Sequence, residues 1–536
     1  MSVIQVSSLT FGYEGSRENV FENVSFRIDT DWKLGMIGRN GKGKTTFLRL
    51  LMSRFGQGVP GSACFPEGSA TGPALPAGPL AYQGSISGST FCDYFPFDVP
   101  EGLSGASFAE ILEVVRPGLE LWRVLAELDE LGLSAGLLYR PSSTLSGGEY
   151  TKIMLAALFA EENGYLLIDE PTNHLDAEAR NSVRDYLNRK KSFLLVSHDR
   201  DLLDAVADHV LVLNREEIEV QSGNYSSWAE NRRRKDAFRM GENEKHLREI
   251  GKLKKAAAET QRWAARSEST KIGFDPVKEH DRSISTRSYI GAKTKKLESR
   301  VKATEQRITR EIEAKEGLLN DIENPVDLKL MPLSYHKEKL VQAREFSFSY
   351  GDREVLRSLT FTISRGDRAV VTGRNGSGKT TLIRAILEKA GVTDRTSGAL
   401  SGNGCSSGVL ETGSGLILSC VSQDTSFLKG SVRDFCRQRG INESLFFAVL
   451  RQLDLERSQF VQPMESYSEG QKKKILLAAS LCTPAHLYVW DEPLNYIDVF
   501  SREQIEDLIL RYKPTMLIVE HDVRFREKVA TEEIRL

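Results

Sequence analysis

Residues 38–45 read GRNGKGKT, and residues 373–380 read GRNGSGKT. The shared pattern, G-x-x-x-x-G-K-T, is typical of a loop that wraps backbone N–H groups around phosphates between a strand and a helix. Each copy follows an apolar stretch (KLGMIG or RAVVTG) and precedes an amphipathic one (TTFLRLL or TTLIRAIL). A single match could be coincidental, whereas two matches in the same context predict two phosphate-binding loops.

The chain is an internal repeat. The sequence DEP at 169–171 recurs at 491–493, and in each half a serine lies 23 residues before the aspartate. Coincidence does not place several landmarks twice in the same order, so the repeat predicts two copies of one α/β domain, over 1–224 and 341–536.

The segment between the two copies has a different composition. Residues 228–320 contain 24 Lys and Arg against 15 Asp and Glu, a net charge of +9 in a chain whose net charge is −2. Apolar residues at helical spacing predict helices over 226–270 and 290–324, folded back as an antiparallel hairpin with its tip at 271–289. We therefore expect a basic helical linker over 225–340 that contacts a polyanion.

Composition excludes two broad classes of protein. The chain has 536 residues, of which 40% are hydrophobic and 27% charged. No run approaches the roughly 18 apolar residues that a membrane span needs, and the N-terminus lacks a secretory apolar region. The six cysteines are scattered without a C-x-x-C pair. We expect a cytoplasmic protein rather than a membrane or secreted one.

Two apolar stretches, YLLI and LYVW, end in a carboxylate pair: Asp169-Glu170 and Asp491-Glu492. Downstream of a phosphate loop, the aspartate of such a pair is expected near a metal ion, and the glutamate can orient or deprotonate water. The alternative is a solvated acidic turn.

A third pair of segments, LSGGE (145–149) and YSEGQ (467–471), precedes predicted helices. Serine and glycine at a helix N-terminus can form an anion site, although each segment alone would be read as an N-cap. Taken together, the motifs of both halves resemble those of ATP-binding cassette (ABC) proteins. In that family, the signature of one cassette closes over the nucleotide held by the other.

The resemblance implies site residues of three kinds, each named by its match to a family motif. The residues implied to bind ATP are Tyr13, Gly38, Asn40, Gly41, Gly43, Lys44, Thr45, Thr46, Ser146, Gly147, Gly148, Tyr350, Gly373, Asn375, Gly376, Gly378, Lys379, Thr380, Thr381, Gln423, Ser468, Gly470 and Gln471. The residues implied to act on Mg²⁺ are Thr45, Asp169, Thr380, Gln423 and Asp491, and the implied catalytic residues are Glu170, Glu492, His198 and His521. Asp176 and Asp498 match the acidic residue that touches the opposite cassette. For Tyr13 and Tyr350, the alternative to stacking on adenine is a tyrosine of a core strand.

The two halves depart from the family pattern in different ways. The first signature ends in Glu149, and the second has Glu469 where glycine is usual, which argues against equal activity of the two sites. Gln423 matches the glutamine that senses Mg²⁺ and the γ-phosphate. In the first half Phe97 stands at the similar position, whereas Gln83 is predicted to lie in a strand, so we expect no such glutamine there.

Two cassettes joined by a basic helical linker resemble the ABC-F family. The sequence DEPTNHLD (169–176) is that family's characteristic form. The variant DEPLNYID (491–498) with YSEGQKKK resembles its antibiotic-resistance branch, of Vga and Lsa type. The helical arm that housekeeping members insert before the first signature is essentially absent.

The ABC-F resemblance implies an ATP- and Mg²⁺-dependent protein that binds the 70S ribosome at the tRNA exit site. Closure of the two cassettes around two ATP molecules favours the ribosome-bound state, and ATP hydrolysis returns the protein to the open state. The linker would reach along the P-site tRNA and protect the peptidyl-transferase centre from lincosamide, streptogramin A or pleuromutilin antibiotics. The resemblance further implies a monomer with intramolecular cassette pairing, without a DNA or transmembrane partner.

Basic residues around the linker tip are expected to meet rRNA or tRNA phosphates. They are Arg262, Arg266, Lys271, Lys278, Arg282, Arg287, Lys293, Lys295 and Lys296. The alternative for any one of them is a solvated helix face. For the whole chain, the alternatives are a housekeeping ABC-F translation factor without drug protection and the ATPase subunit of a transporter.

Overall fold

A computed structural model describes most of the chain. The described residues are 2–13, 19–56, 80–103, 105–161, 164–173, 175–213, 218–269, 302–303, 307, 329–351, 353–391, 404–455 and 459–536. The chain divides into two compact units, one formed by 1–228 together with 326–536 and the other by 229–325.

The first half of the chain contains nine strands and six helices within its described residues. The strands are β1 (Val3–Phe11), β2 (Phe21–Asp29), β3 (Lys33–Gly38), β4 (Gln83–Ser87), β5 (Phe91–Phe95), β6 (Gly164–Asp169), β7 (Phe193–Val196), β8 (His209–Leu213) and β9 (Ile218–Ser222). The helices are α1 (Lys44–Phe55), α2 (Phe108–Val115), α3 (Leu121–Glu130), α4 (Gly147–Phe159), α5 (Ala177–Arg189) and α6 (Arg200–Val206). Short 3₁₀ helices cover Glu101–Leu103, Ala135–Tyr139 and Ser142–Thr144.

These strands form two sheets. An antiparallel sheet has the order β2-β1-β4, and a larger sheet has the order β5-β6-β7-β3-β8-β9, parallel except for its last pair. The central strands β6 and β7 read as unbroken apolar runs because helices cover the faces of a parallel sheet. The first phosphate loop therefore begins at the carboxyl end of β3, next to the ends of β6 and β7.

The second half repeats this design. After the linker its strands are β10 (Lys339–Tyr350), β11 (Arg353–Ser364), β12 (Arg368–Thr372), β13 (Gly404–Thr412), β14 (Leu418–Val421), β15 (Leu487–Asp491), β16 (Met516–Val519) and β17 (Glu532–Arg535). Its helices are α8 (Lys379–Lys389), α9 (Val432–Gln438), α10 (Glu443–Gln452), α11 (Glu469–Cys482), α12 (Val499–Tyr512) and α13 (Val523–Val529), with 3₁₀ turns at Gln459–Val461 and Met464–Ser466. The sheet orders are β11-β10-β13 and β14-β15-β16-β12-β17.

Each phosphate-loop helix is anchored between the two sheets of its half. On α1, the ring of Phe47 lies 5.4 Å from that of Phe26 and 6.3 Å from that of Phe21, both on β2. Phe47 is fully buried in the apolar core that β1, β2 and the larger sheet share. This packing fixes the start of α1, and with it the loop, relative to the sheet edge.

The first predicted linker helix is present as α7 (Tyr225–Ser269). Lys302, Ala303 and Arg307 are also helical. The remainder of the second predicted helix and the tip lie outside the described residues, so the hairpin stays a prediction. In the described ranges, none of the helices combines the length and the apolar character that crossing a bilayer requires.

Candidate functional site

Both phosphate loops have a left-handed glycine immediately before the lysine. Gly43 caps α1 with φ +93°, and Gly378 caps α8 with φ +97°. A Cβ atom on Gly43 would lie 2.5 Å from Cγ1 of Val20, and one on Gly378 would lie 2.6 Å from Cδ2 of Leu356. Only glycine fits both the backbone angle and the space.

The lysine of each loop folds back over the loop's own backbone. Nζ of Lys44 donates to the carbonyl of Gly38 at 2.7 Å, and Nζ of Lys379 donates to that of Gly373 at 2.9 Å. Together with the N-terminal N–H groups of the following helix, each ammonium lines a cradle that suits the β- and γ-phosphates of a nucleotide.

The threonine of each loop meets the aspartate at the end of a neighbouring strand. Oγ1 of Thr45 donates to Oδ2 of Asp169 at 2.9 Å, and the Thr380 hydroxyl bonds to Asp491. Among the residues that the structure describes, Oδ1 of Asp491 is buried without a hydrogen-bond partner. Burial and the charge of Glu492 raise the pKa of Asp491 to about 6. A hydroxyl beside a carboxylate oxygen that lacks a partner fits Mg²⁺, which takes few protein ligands and completes its shell with phosphate and water.

The glutamate after each aspartate has a left-handed backbone, with φ +51° at Glu170 and +47° at Glu492. Such angles are uncommon for residues other than glycine, and they cluster at functional sites. Oε1 of Glu170 lies 3.4 Å from Nε2 of His198, and Oε1 of Glu492 lies 3.6 Å from Nε2 of His521. The structure thus brings each predicted glutamate together with the histidine of its own half.

The two glutamates differ in their surroundings. Burial and the charge of Asp169 raise the pKa of Glu170 to about 8. Burial also acts to raise the pKa of Glu492, but hydrogen bonding and charge from His521, with Lys473 and Lys379, lower it overall. The two sites are therefore electrostatically unequal.

Strand pairing places Phe97 at the position of Gln423. Phe95 pairs with the residue before Asp169, and Val421 pairs with the residue before Asp491, so Phe97 and Gln423 each lie two residues further on. The ring of Phe97 is covered by the guanidinium of Arg116, 4.5 Å from its centre.

Sequence reasoning missed two residues that contact these carboxylates. The Tyr94 hydroxyl donates to Oδ2 of Asp169 at 3.1 Å, and Nδ2 of Asn495 donates to Oε2 of Glu492 at 2.7 Å. Asn495 could have been found from its place three residues after Glu492. Tyr94 gave no such signal, because its contact depends on the packing of β5 beside β6.

Each signature serine caps its helix. Ser146 forms a capping box with Glu149, whose carboxylate accepts from the backbone N–H of Ser146 at 2.8 Å, and Ser468 forms the same box with Gln471. The Glu469 carboxylate accepts from the Thr425 hydroxyl at 2.6 Å and from Nζ of Lys472 at 3.0 Å. Both unusual acidic side chains are thus bound within their own cassette.

The second signature faces the first phosphate loop. A Cβ atom on Gly470 would lie 3.6 Å from Nδ2 of Asn40, and that nitrogen donates to the carbonyl of Tyr496 at 2.6 Å. In the other direction, the N–H of Asn375 donates to Oδ2 of Asp176 at 3.4 Å. These contacts have the head-to-tail arrangement that the resemblance to ABC proteins implies.

Asp498 is placed differently from Asp176. It is fully buried and lies 3.4 Å from Nζ of Lys474 in its own half. The Lys474 charge, a backbone hydrogen bond from Ser501 and the charges of His198 and Lys44 together lower its pKa despite burial.

Tyr13 and Tyr350 are both half-buried beside the loops. The Tyr13 hydroxyl lies 2.8 Å from Oγ1 of Thr46, and each tyrosine ring packs edge-on against a strand phenylalanine, Phe11 or Phe348. Stacking on adenine stays a prediction for both residues.

The predicted RNA contacts fall mostly outside the described residues. Arg262 is exposed on α7, and Arg266 belongs to the same helix. The residues outside the described ranges are Lys271, Lys278, Arg282, Arg287, Lys293, Lys295 and Lys296.

Several known proteins are similar to this chain over nearly its whole length. The ABC transporter family matches residues 356–495. Ribosome protection protein VmlR of Bacillus subtilis (strain 168) is 26% identical over 540 residues, 99% of this chain and 86% of VmlR. ATP-binding protein Uup of Caulobacter vibrioides is 26% identical over 531 residues, 96% of this chain and 74% of Uup.

Solved structures agree on the fold. The archaeal ribosome recycling factor aABCE1, in complex with the stalk protein aP1, superposes with a TM-score of 0.56 at 18% identity, covering 98% of this chain and 87% of that one. The RNase-L Inhibitor gives a TM-score of 0.54 at 18% identity, covering 99% and 87%. The predicted tandem architecture is confirmed.

Proposed function

We propose that the chain is an ATP-hydrolysing protein of the ABC-F type and that it binds the bacterial ribosome at the tRNA exit site. We further propose that the bound protein protects the peptidyl-transferase centre from antibiotics of lincosamide, streptogramin A or pleuromutilin type. The observation that carries the proposal is the similarity to VmlR, a ribosome protection protein, over 99% of this chain.

ATP drives the proposed cycle through the contacts between the cassettes. Asn40 of the first phosphate loop already touches the second cassette at Tyr496, and Asn375 of the second loop touches Asp176. A nucleotide in either cradle would lie between a phosphate loop and the opposite signature, so two nucleotides would close one monomer on itself. The ribosome is then bound by the closed state.

Hydrolysis reopens the protein in this scheme. In the proposed cycle Glu170 and Glu492 orient the attacking water, and His198 and His521 contact the γ-phosphate. Thr45 with Asp169, and Thr380 with Asp491, would hold Mg²⁺, which supplies charge stabilisation at the phosphates when bound.

The basic linker supports an RNA partner. Helix α7 carries the cluster Arg232-Arg233-Arg234-Lys235. Arg232 pairs with Asp236 and Arg234 pairs with Glu230, each one turn away, yet all four residues of the cluster are in contact with solvent. Cations on an exposed helix attract phosphates and give salt-dependent binding, and we extend this role to Arg262, Arg266 and the predicted tip residues.

The test of ribosome binding uses the double variant Glu170→Gln, Glu492→Gln. We expect it to keep ATP bound and to co-sediment with 70S ribosomes in ATP but not in ADP, with weaker association at higher salt. The matched control adds Lys44→Ala and Lys379→Ala, which removes the phosphate contacts and should abolish co-sedimentation. Absence of ATP-dependent association at low salt would contradict the proposal.

The rival candidate is a housekeeping translation factor without drug protection. The chain is as similar to the ATP-binding protein Uup, at 26% identity, as it is to VmlR. Expression in a drug-sensitive bacterium separates the two. Protection predicts a higher inhibitory concentration for drugs that act at the peptidyl-transferase centre and no change for drugs that act elsewhere. Ribosome binding without any such increase would favour the housekeeping role.

A further inference from the structure

The catalytic glutamates of the two sites are supported to different degrees. Oε2 of Glu492 accepts from Nε2 of Gln423 at 3.0 Å and from Nδ2 of Asn495 at 2.7 Å. Oε2 of Glu170 accepts only a long bond, 3.4 Å, from the N–H of His198 within the described residues, and its Oε1 is buried without a hydrogen-bond partner there. The side chain of Glu492 is therefore positioned by two amides, whereas that of Glu170 has no comparable support.

A buried lysine lies behind Glu492. Lys473 is on the signature helix α11 and is 2% exposed. Its Nζ donates to the carbonyl of Ser422 at 2.9 Å and to those of Asp491 and Glu492 at 3.4 Å each. Three carbonyl acceptors match the three N–H donors of an ammonium group, so the geometry fits the charged form.

These three bonds connect separate parts of the second site. Ser422 immediately precedes Gln423, and the other two acceptors belong to the carboxylate pair at the end of β15. Lys473 thus links the backbone before Gln423 to the backbone of Glu492, the two residues whose side chains meet. Charge-assisted hydrogen bonds in a buried position are strong, and they restrict the movement of both segments.

The described part of the first cassette has no equivalent of this link. Counting from the signature serines Ser146 and Ser468, Thr151 stands at the position of Lys473. A threonine side chain is three bonds shorter than a lysine side chain and cannot span the same distance. The residue that would be positioned is also different, because Phe97 replaces Gln423.

We propose that Lys473 is a positioning residue that makes the site on the second phosphate loop the faster of the two in ATP hydrolysis. By aligning Gln423 with Glu492, it holds the attacking water in line with the γ-phosphate. The water oxygen bonds to the γ-phosphorus as the bond to the β,γ-bridging oxygen breaks, ADP leaves, and the water proton passes to the Glu492 carboxylate. The site on the first loop retains its ATP for longer. The proposal rests on the ATPase activity and does not depend on the ribosome.

The test compares Lys473→Met in two backgrounds of the full chain, without ribosomes. With Glu170→Gln, hydrolysis occurs at the second site, and we expect Lys473→Met to lower kcat at least tenfold while KM for ATP stays within threefold. With Glu492→Gln, which leaves the first site, the same change should alter kcat less than twofold. Lys473→Arg, which keeps the charge, should recover part of the loss.

Thr151→Val is the matched control on the helix of the first signature, and it should change kcat less than twofold in both backgrounds. An equal loss of kcat in both backgrounds, or a rise in KM that accounts for the whole effect, would overturn the proposal. If thermal unfolding shows that Lys473→Met does not fold, the turnover of Glu170→Gln and of Glu492→Gln alone still tests the proposed order of rates. A larger loss of turnover from Glu170→Gln than from Glu492→Gln would contradict the proposed order of rates.

Discussion

At the scale of single residues, the phosphate loops depend on space as much as on backbone freedom. Gly41 and Gly43 both have a positive φ, but a Cβ atom meets nothing within 4 Å at Gly41 and clashes with Val20 at Gly43. Strain alone costs an alanine about 1–2 kcal/mol in the left-handed region, whereas a clash with packed atoms also displaces the loop.

We therefore expect Gly43→Ala to abolish nucleotide binding at the first site, and Gly41→Ala to weaken it about tenfold, because 1.4 kcal/mol corresponds to that factor. Equilibrium binding of labelled ATP measures both effects. The number of sites should fall from two to one for Gly43→Ala and remain two for Gly41→Ala. Two intact sites in Gly43→Ala would show that the loop can shift away from Val20.

At the scale of elements, the start of α7 is anchored on the second cassette. Trp228 is 6% exposed, and its ring packs edge-on against that of Phe500 on α12, 5.8 Å between centres. Next to it, the Tyr225 hydroxyl donates to Oε1 of Glu503 at 3.1 Å. These contacts connect the first turn of the linker helix to an element that follows the second acidic pair.

Removing the anchor should destabilise the protein. Trp228→Ala is expected to cost about 3–5 kcal/mol of unfolding free energy, the range for truncating a buried aromatic side chain. Phe238→Ala on the same helix, at a residue 67% exposed, should stay within about 0.5 kcal/mol. Denaturant unfolding followed by far-UV circular dichroism, which does not rely on Trp228 fluorescence, measures the unfolding free energy of both variants. Similar losses of unfolding free energy would contradict the assigned anchor.

At the scale of the whole molecule, buried charges join the cassettes beside His198 and His521. Arg200, two residues after His198, donates to Oε1 of Glu506 at 2.5 Å and lies 3.3 Å from Asp522. Arg502 reaches the same aspartate at 3.1 Å. In addition, Arg524 of the second cassette pairs with Asp201 and Asp204 of the first.

Breaking this network should cost far more than breaking an exposed pair. Arg200→Met leaves Glu506 and Asp522 buried with fewer partners, and we expect a loss of about 3–5 kcal/mol. Arg374→Met removes the pair with Glu178 across the same interface, where both side chains are more than 70% exposed, and should cost under about 1 kcal/mol. Thermal unfolding ranks the two variants, and equal shifts would contradict the buried network.

The same network predicts a dependence on pH. Burial opposes the charged form of Asp522, but Arg200 and Arg502 outweigh it and lower its pKa below the ordinary value near 4. A group with a lowered folded pKa stabilises the protein above its unfolded pKa, and that contribution is lost as pH falls through the folded value. The stability difference between wild type and Arg200→Met should therefore be constant near pH 6 and shrink below about pH 4, as unfolding measured across that range would show.

The sequence by itself determined the repeat, the strand–loop–helix context of Lys44 and Lys379, and the carboxylate pairs at the ends of β6 and β15. These features are local: a glycine-rich loop between an apolar stretch and an amphipathic one, or an apolar run that ends in two carboxylates, is encoded within about ten residues. The place of Phe97 could also be predicted, because the spacing to the first signature nearly repeats that from Gln423 to the second.

Only the tertiary structure decided which side chains meet. The Tyr94 hydroxyl donates to Asp169, 75 positions away, and the Thr425 hydroxyl donates to Glu469, 44 positions away. The ammonium of Lys473 donates to the carbonyl of Ser422, 51 positions away, and to two carbonyls at the end of β15. Spacing along the chain does not specify such contacts, because the direction of a side chain is set by the packing of elements that are distant in sequence. For that reason the inequality of the two sites is suggested by the motifs but acquires its physical basis only in the folded protein.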